Sequence, residues 1–295
     1  MTSTDAPHTD PPTDYEALIR LIHDRHDQMS KTHKRISVFL TQNPNEVAVH
    51  SVNAIGERCG IHASSFVRFA QMLGYRGFKE LQLLFQHRLA LAAPGFEARV
   101  SALTSELNTS GGRGEPGILA DLVVRDIASL QEMLTDTDQE DLARAARLLQ
   151  QAETVFLLGQ MRSLPVVELM RYQLTMIGKR CILLDSAGGL STYVARTMTS
   201  RDVLMAVSFR SYAREVVSLV DEAAARGHDI VAISDSTLSP LAKSAKVLFA
   251  LPEHDYSFSR SLAAPMCLAQ ALTLAVAARV QQSGEAPRIP TATGS

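Results

Sequence analysis

The first third of the chain places apolar side chains at the three- and four-residue spacing of amphipathic helices, from position 15 to position 92. The spacing is seen in Leu18 and Ile22, in Ile36, Phe39 and Leu40, in Ile55 and Cys59, in Phe66, Phe69 and Leu73, and in Leu81 and Leu84. It predicts an all-helical domain over residues 15–92. The first 14 residues are rich in Thr, Asp and Pro, so we expect a disordered tail there.

The helical pattern stops at residues 93–117, which contain Ala93-Pro94-Gly95 and the Gly/Pro-rich run 110–117. Glycine and proline at this density are typical of a flexible linker. Two further helices are expected over residues 118–134 and 138–151, with Thr137 or Asp138 as the N-cap of the second.

From residue 153 onward, the pattern changes to short apolar runs separated by helical stretches. The runs cover residues 154–158, 180–184, 203–208, 230–234 and 247–251. Strands that alternate with helices and are apolar throughout are typical of a parallel sheet that is covered on both faces. We therefore predict a three-layer α/β/α domain with a five-stranded parallel sheet over residues 118–282, and a second disordered tail over residues 283–295.

The longest apolar stretch, residues 262–280, contains Pro265, Gln270 and Thr273 and is interpreted as a buried helix rather than a membrane span. The N-terminal residues lack the basic and apolar regions of a secretory signal. Three widely spaced cysteines without a CxxC pair predict neither disulfides nor a metal site. We expect a cytoplasmic protein that needs no cofactor and has no membrane partner.

Charge is distributed unevenly, although the formal net charge is only −2. Residues 31–90 carry eight Lys and Arg residues against three Glu residues, which is a net charge of +5 inside an otherwise acidic chain. A basic segment of this size favours contact with a phosphate backbone, although ordinary surface charge is the alternative.

A helix-turn-helix unit is predicted within this basic segment, over residues 52–71. Gly60 falls at the turn, where a positive φ is needed, and Gly56 lies where a side chain would strike the second helix. The spacing places five apolar side chains between the two helices, namely Ile55, Cys59, Ile61, Phe66 and Phe69. This pattern is typical of a DNA-binding motif, and a helical hairpin without a DNA role is the alternative.

The second helix of such a motif enters the major groove of double-stranded DNA. Here it is expected over residues 63–73, with Ser64 as its N-cap and with His62, Ser64, Ser65 and Arg68 pointing away from the packing face. Arg68 is the strongest candidate for a base or phosphate contact because Arg pairs with guanine in a bidentate way. Five more cations are interpreted as contacts to the DNA backbone: Lys31, Lys34, Arg35, Arg76 and Lys79.

The same region resembles the N-terminal domain of RpiR-type bacterial transcription regulators. The resemblance rests on Asn43-Pro44, on the run 60–64, on Val67-Arg68-Phe69 and above all on the run 73–81, Leu-Gly-Tyr-Arg-Gly-Phe-Lys-Glu-Leu. It covers nearly all of residues 15–90, and it implies a winged-type DNA-binding domain.

Residues 140–282 are similar to the SIS (sugar isomerase) domain that follows in that family. The matching segments are residues 156–163 after the first predicted strand, 207–215 after the third, and 233–242 after the fourth. The sequence departs from the phosphosugar-binding pattern at one position and in one run of residues. Met161 replaces the second Gly of Gly-x-Gly-x-Ser, and the run 208–213 replaces Ser-x-Ser-Gly-x-Thr.

Ligands of open α/β sheets bind beyond the carboxyl ends of the strands, where helix N-termini attract anions. The effector site is therefore expected to use Arg162, Ser163, Ser208, Arg210, Ser211 and Glu215. The serines Ser163 and Ser211 are also expected to cap helices, and the arginines to bind phosphate or carboxylate. Three interpretations stay open, namely another anionic ligand, a phosphosugar in a different pose, or a dimerisation scaffold without ligand.

An aldose–ketose phosphate isomerase is the alternative function, and it would need a carboxylate base and often a His. Glu215, His228 and His254 are the candidates, but His228 precedes the fourth strand and so lies at the wrong edge. We therefore predict no catalytic residues. The expected protein is a transcription regulator that senses a small anionic metabolite, and that forms a homodimer or tetramer through helices in 118–151 and 262–280.

Overall fold

The computed structural model describes residues 11–92, 114–210, 212–251 and 260–282. The chain forms two compact units that meet in sequence between Gly114 and Glu115. Each unit is described by itself.

The N-terminal unit is built from short helices. They are α1 (Tyr15–Arg25), α2 (Lys31–Gln42), α3 (Pro44–Val49), α4 (Val52–Cys59), α5 (Ala63–Met72) and α6 (Phe78–Ala92). Side-chain oxygens of Asp14, Ser30 and Ser51 accept hydrogen bonds from backbone N–H groups in the first turns of α1, α2 and α4. These N-caps satisfy amides that have no partner within the helix, and so they fix where each helix begins.

The core of this unit consists of the side chains that the helical pattern places on one face. Fully buried are Leu18, Ile22, Ile36, Leu40, Ile55, Phe66, Phe69, Leu81 and Phe85. Removing one such side chain from water stabilises the fold by about 1.5–3 kcal/mol. The prediction of a helical domain is confirmed. Residues 11–92 contain no strand, so the β wing that the family resemblance implies does not lie within this range.

The C-terminal unit contains a five-stranded sheet in the order β2-β1-β3-β4-β5. The strands are β1 (Val155–Gly159), β2 (Cys181–Leu183), β3 (Val203–Val207), β4 (Asp229–Ser234) and β5 (Val247–Ala250). Every neighbouring pair is parallel. The predicted parallel sheet is confirmed, and each strand lies within two residues of its predicted bounds.

Helices cover both faces of this sheet. They are α7 (Gly114–Asp136), α8 (Gln139–Gln151), α9 (Leu164–Met176), α10 (Ser191–Ala195), α11 (Arg214–Ala225) and α12 (Ala263–Gln282). One core cluster joins the sheet to α8, α9 and α12, and the other joins it to α10 and α11. Asp138 caps α8, as one of the two expected residues, by accepting a hydrogen bond from the Glu140 N–H. The predicted three-layer α/β/α architecture is confirmed.

The apolar helix α12 has the length and hydropathy of a membrane span, and it is the one helix in the described part of the chain that does. Seven of its residues are buried, among them Leu268, Leu272 and Val276, which join the core cluster on one face of the sheet. This packing agrees with the interpretation of the segment as a core helix.

Two predicted boundaries differ from the structure. Helix α7 begins at Gly114 rather than at residue 118, inside the segment expected to be linker. Pro12 and Asp14 were assigned to the disordered tail, yet the Pro12 carbonyl accepts a hydrogen bond from the Tyr75 hydroxyl and Asp14 caps α1. Composition does not reveal the contact of Pro12 because its partner Tyr75 is 63 residues away, whereas the Asp14 cap is a local contact with Ala17 that the tail composition obscured. The rest of the tails and residues 93–113 lie outside the described residues.

Candidate DNA-binding helix and effector site

Gly56 of α4 lies directly against the turn that leads into α5. A Cβ atom at this position would lie 2.6 Å from the carbonyl oxygen of Ile61 and 3.4 Å from the backbone nitrogen of Ala63. Real Cβ atoms do not come so close to a backbone oxygen, so only glycine fits here. The predicted reason for a small residue at this position is confirmed.

The turn between these helices depends on Gly60, which has a φ of 60° and ends α4 in the left-handed conformation. The Gly60 N–H donates to the Glu57 carbonyl at 3.2 Å, and the Ile61 N–H donates to the Gly56 carbonyl at 2.9 Å. These bonds satisfy carbonyls at the end of α4 that have no partner within the helix. The geometry confirms the predicted helix-turn-helix.

Helix α5 has an apolar face that is buried and, on its opposite side, a polar face that is exposed. Phe66 and Phe69 are fully buried, whereas His62, Ser64 and Arg68 are exposed and Ser65 is half-exposed. The helix begins at Ala63, and the N-cap position is taken by His62, whose side chain makes no capping hydrogen bond. The prediction that Ser64 is the N-cap is wrong, because Ser64 lies inside the first turn of the helix.

Two arginines hold the C-terminal ends of the motif's helices. The Arg35 Nη2 donates to the Cys59 carbonyl at the end of α4 at 2.7 Å. The Arg25 Nη1 donates to the Met72 carbonyl at the end of α5 at 3.2 Å. Cations favour the negative end of a helix, so both contacts help to orient the motif. Arg35 was expected to contact DNA, and Arg25 had not been assigned a role.

The other expected backbone contacts lie on the surface of the same unit. Lys31, Lys79 and Arg76 are exposed. Lys34 lies 3.9 Å from Asp27, and the Arg76 Nε lies 3.5 Å from a Glu80 oxygen. A hydrogen bond from the Arg76 backbone N–H lowers the pKa of Glu80. Exposed ion pairs of this kind contribute little stability, so the pairs of Lys34 and Arg76 are weak.

In the C-terminal unit, β1 and β3 lie side by side in the sheet. The next strand after β1, which is β2, lies on one side of this pair, and the next strand after β3, which is β4, lies on the other side. This reversal is the topological switch point of a doubly wound sheet, and ligands bind in the crevice beyond its carboxyl edge. Gln160 follows β1, whereas Phe209 and Arg210 follow β3. The crevice between these two strand ends is the candidate effector site.

Glu215, in the first turn of α11, is the centre of a polar cluster at this edge. Its Oε2 accepts hydrogen bonds from the Gln160 amide at 2.6 Å and from the Ser186 hydroxyl at 3.3 Å, and its Oε1 accepts one from the Ser191 hydroxyl. The hydrogen bonds from Ser191, Gln160 and Ser186 lower the pKa of Glu215, although partial burial opposes them. The Glu215 carboxyl is therefore an anion at neutral pH.

Arg162 lies on the same edge, two residues beyond Gln160. Its guanidinium stacks 4.7 Å from the centre of the Phe209 ring and donates to the Ser261 carbonyl at 3.2 Å. Ser163 is buried and precedes α9, but its side chain does not cap that helix. The expected capping role of Ser163 is therefore wrong, because its backbone already has a helical conformation and its hydroxyl does not meet the first free amides.

Arg210 faces a carboxylate instead of open solvent. Its Nε lies 3.7 Å from an Asp235 oxygen, and the two side chains are 8% and 1% exposed. Ser208 is also buried. Its backbone N–H donates a hydrogen bond to the Ile233 carbonyl, and its carbonyl accepts one from the Ser234 hydroxyl. The expected contribution of Arg210 to anion binding is thus reduced, because Asp235 neutralises its charge.

Met161 occupies a backbone conformation that normally favours glycine. Its φ is 53°, and its side chain is 85% exposed. This is the position at which the family pattern has its second glycine. A methionine with this left-handed backbone conformation costs conformational strain of about 1–2 kcal/mol.

The structure brings together four of the six expected effector residues at or next to this edge: Arg162, Ser208, Arg210 and Glu215. Ser163 is buried behind them, and Ser211 lies outside the described residues, as does His254. His228 precedes β4 and lies at the opposite edge, as expected. Ser186 and Ser191 were not predicted because they lie outside the matching segments, and Asp235 was not assigned a role although it lies within the segment 233–242. No group of three or more metal-binding side chains occurs in the described ranges.

Comparison with known proteins supports both units. Residues 16–92 match the family model of the rpiR-family helix-turn-helix domain. Residues 148–275 match the SIS domain model. The chain belongs to the RpiR-type helix-turn-helix regulators with a SIS domain. Its relatives include YfhH of Escherichia coli, described as an HTH-type transcriptional regulator, with 25% identity over 85% of this chain and 86% of YfhH. A regulator of the same description from Thermotoga maritima is 22% identical over 79% of this chain and 80% of its own length.

Solved structures share the fold of this RpiR-type protein. The Vibrio vulnificus NanR protein, solved in complex with ManNAc-6P, matches with a TM-score of 0.55 and 17% identity over 92% of this chain and 94% of NanR. The sugar isomerase domain of an RpiR transcription factor from Sphaerobacter thermophilus matches with a TM-score of 0.53 and 24% identity, over 55% of this chain and 91% of that domain.

Proposed function

We propose that this RpiR-type protein regulates transcription in the cytoplasm by binding double-stranded DNA through α5. A small anionic, sugar-derived effector binds at the β1/β3 edge of the SIS domain and changes the affinity for DNA. The effector must bind two conformations of the protein with different affinities, because a ligand without such a difference shifts no equilibrium.

The observation that carries the DNA-binding role is the geometry of α4 and α5. Gly56 lets the two helices approach within contact distance, and Gly60 ends α4. With Phe66 and Phe69 buried, the opposite face of α5 presents His62 and Arg68. A short helix that is anchored on one face and polar on the other can enter a major groove and contact base edges.

The effector site is supported by its position and by one structural relative. The switch-point crevice contains the guanidinium of Arg162, which Phe209 and Ser261 hold in place. NanR, which shares the fold, was solved with the sugar phosphate ManNAc-6P. The positive charge of Arg162 at this strand edge, together with a sugar phosphate bound by a protein of the same fold, favours an acidic sugar derivative as the effector here.

A sensor fits the site better than an isomerase does. An isomerase base works best when its pKa is near the working pH. Hydrogen bonds from Ser191, Gln160 and Ser186 instead lower the pKa of Glu215, which makes its carboxylate a weak base. Some proteins with the SIS fold are isomerases, so it is the state of Glu215 rather than the fold that favours a sensor.

Homo-oligomer formation is supported by an apolar stripe on α7. Leu119, Val123, Ile127 and Leu134 recur at helical spacing and are 64%, 46%, 50% and 80% exposed. On the same helix, partly buried Leu130 packs against the core. Exposed apolar patches of this kind mark interfaces, and a two-fold assembly presents two recognition helices to two half-sites.

The DNA-binding role can be tested with Arg68→Ala in the full chain. A bidentate base contact contributes about 1–3 kcal/mol, so the affinity for the preferred duplex should fall by about 5- to 150-fold in fluorescence anisotropy. Arg147→Ala is the matched control, because it removes the same charge from an exposed position on α8. Equal losses in the two variants would contradict the assignment of α5 as the recognition helix.

The effector role can be tested with the same anisotropy assay. ManNAc-6P and other sugar phosphates and sugar acids are added to the protein–duplex complex. At least one of them should change the DNA affinity, and Arg162→Ala should weaken that response at least tenfold. A response that is unchanged in Arg162→Ala would contradict the proposed anion contact.

A further inference from the structure

The charges at the β1/β3 edge are arranged in two regions rather than spread as one positive surface. Arg162 provides a cation beside Phe209. Glu215, in the first turn of α11, provides an anion that Gln160, Ser186 and Ser191 hold in one orientation. Arg210 adds little net charge, because the buried carboxylate of Asp235 faces it.

Glu215 places a negative charge in the first turn of α11, close to the N-terminus of that helix. A helix N-terminus attracts anions through its free amides and its dipole. Here the first turn of that helix already carries the Glu215 carboxylate, and a ligand phosphate placed beside it would meet a like charge. The acid group of an effector must therefore lie away from Glu215, on the side of Arg162.

What Glu215 can accept is a hydrogen-bond donor. A carboxylate has about four acceptor positions, and three donors are present, two at Oε2 and one at Oε1. A ligand hydroxyl or amino group can take the remaining position at Oε1, or replace the longest bond, from Ser186. Hydrogen bonds to a charged acceptor are roughly twice as strong as neutral ones, so such a contact discriminates between ligands.

The loop that joins the two regions is strained. Gln160 binds Glu215, Arg162 stacks on Phe209, and Met161 between them has a φ of 53°. Non-glycine residues in this conformation persist where both flanking contacts enforce it, and they concentrate at ligand sites. The two anchors on either side of Met161 fix the spacing between the cation and the anion.

We propose that Glu215 is a specificity-determining residue, and that it selects effectors which carry hydroxyl or amino groups in addition to an acid group. Arg162 receives the acid group, and Glu215 accepts a hydrogen bond from the polyhydroxylated part of the same molecule. This inference rests on the proposed effector function and adds the residue that recognises the hydroxylated part of the effector. Simple acids of the same charge are poor ligands.

The test compares probes that match in charge and differ in hydroxyl groups. Isothermal titration of the full-length protein uses ManNAc-6P and glucose 6-phosphate against inorganic phosphate, and gluconate against acetate. At least one hydroxylated acid should bind about tenfold or more tightly than its simple counterpart. Glu215→Gln should reduce that ratio about tenfold, and the binding of the simple acid should stay unchanged or become tighter.

Three variants separate specificity from folding. Glu222→Gln makes the same change in the same helix, at a carboxylate that binds Arg196 on the surface, and should leave the ratio unchanged. Glu215→Asp keeps the charge but shortens the side chain, so it should lose the preference for hydroxylated acids while still disfavouring simple ones. Circular dichroism melting of each variant shows that the fold is retained.

Each result bears on the inference. If hydroxylated acids bind and change DNA affinity but Glu215→Gln keeps the full ratio, the inference is wrong and the proposed function stands. If simple acids bind the unaltered protein as tightly as hydroxylated ones, the inference is also wrong. If none of the probes binds, both the inference and the proposed sensing of a sugar-derived acid are overturned.

Discussion

Replacing Gly56 by Ala should destabilise the helix-turn-helix, although alanine is the better helix former. The new Cβ would lie 2.6 Å from the Ile61 carbonyl oxygen, and the turn must move by several tenths of an ångström to admit it. That movement stretches the 2.9 Å hydrogen bond from the Ile61 N–H to the Gly56 carbonyl. The neighbour is backbone, so no side-chain rotation relieves the overlap.

The magnitude follows from two opposing effects. Overpacking of a closely fitted contact costs about 1–3 kcal/mol. Alanine recovers about 0.5–1 kcal/mol, because glycine loses more conformational freedom in a helix. The net loss is about 1–2 kcal/mol, which corresponds to a factor of about 5–30 in the folded-to-unfolded ratio.

Hydrogen exchange measured by mass spectrometry on the full chain reports this loss locally. Amides of α4 and α5 should exchange about 5- to 30-fold faster in Gly56→Ala, whereas those of the β1–β5 sheet should be unchanged. Asn53→Ala is the control, because it places the same methyl group on an exposed position of α4 and should change stability by less than about 0.5 kcal/mol. Equal protection in the two variants would refute the close-approach argument.

Four other perturbations test separate parts of the account. Met161→Gly should stabilise the protein by about 0.5–1 kcal/mol in urea unfolding, because relief of about 1–2 kcal/mol of strain exceeds the entropy cost of glycine; a loss of stability would contradict the strain. Asp235→Asn should cost about 3 kcal/mol, because a buried guanidinium loses the carboxylate that it faces, and a change below 1 kcal/mol would contradict the buried pair. Ile127→Asp should convert the oligomer to a monomer in light scattering, whereas Ile127→Val should not; a monomeric unaltered protein would refute the α7 interface. Hydrogen bonds from Ser191 and two further side chains lower the pKa of Glu215. The ionised carboxylate therefore stabilises the folded state fully above its ordinary pKa of 4.5, and this stabilisation is lost as the pH falls through the lower pKa of the folded state. Glu215→Gln should therefore be less stable than the unaltered protein at pH 7 and approach it at acid pH, and a difference independent of pH would contradict this.

The features that sequence predicted are those that local chemistry determines. Strands buried on both faces have to be apolar along their length, so all five could be located. Gly56 and Gly60 revealed the helix-turn-helix because the close approach and the turn both exclude side chains. The apolar spacing around Phe66 and Phe69 then indicated which face of α5 is buried.

The features that sequence missed depend on pairs of residues far apart in the chain. Gln160 and Glu215 are 55 residues apart, and Arg25 and Met72 are 47 residues apart. A single sequence carries no signal that joins such pairs. The same limitation explains why Arg210 was expected to bind an anion, because its partner Asp235 was not known.

The most direct test of the central claim is the salt dependence of DNA binding by the full-length protein. A duplex enriched from a random pool is compared with its scrambled counterpart by fluorescence anisotropy. A sequence-specific regulator should bind the enriched duplex at least about 1,000-fold more tightly at physiological salt, with a log–log salt slope that steepens by about 0.9 for each phosphate contacted. Equal affinity for both duplexes at every salt concentration, or no binding even at low salt, would contradict a sequence-specific regulator.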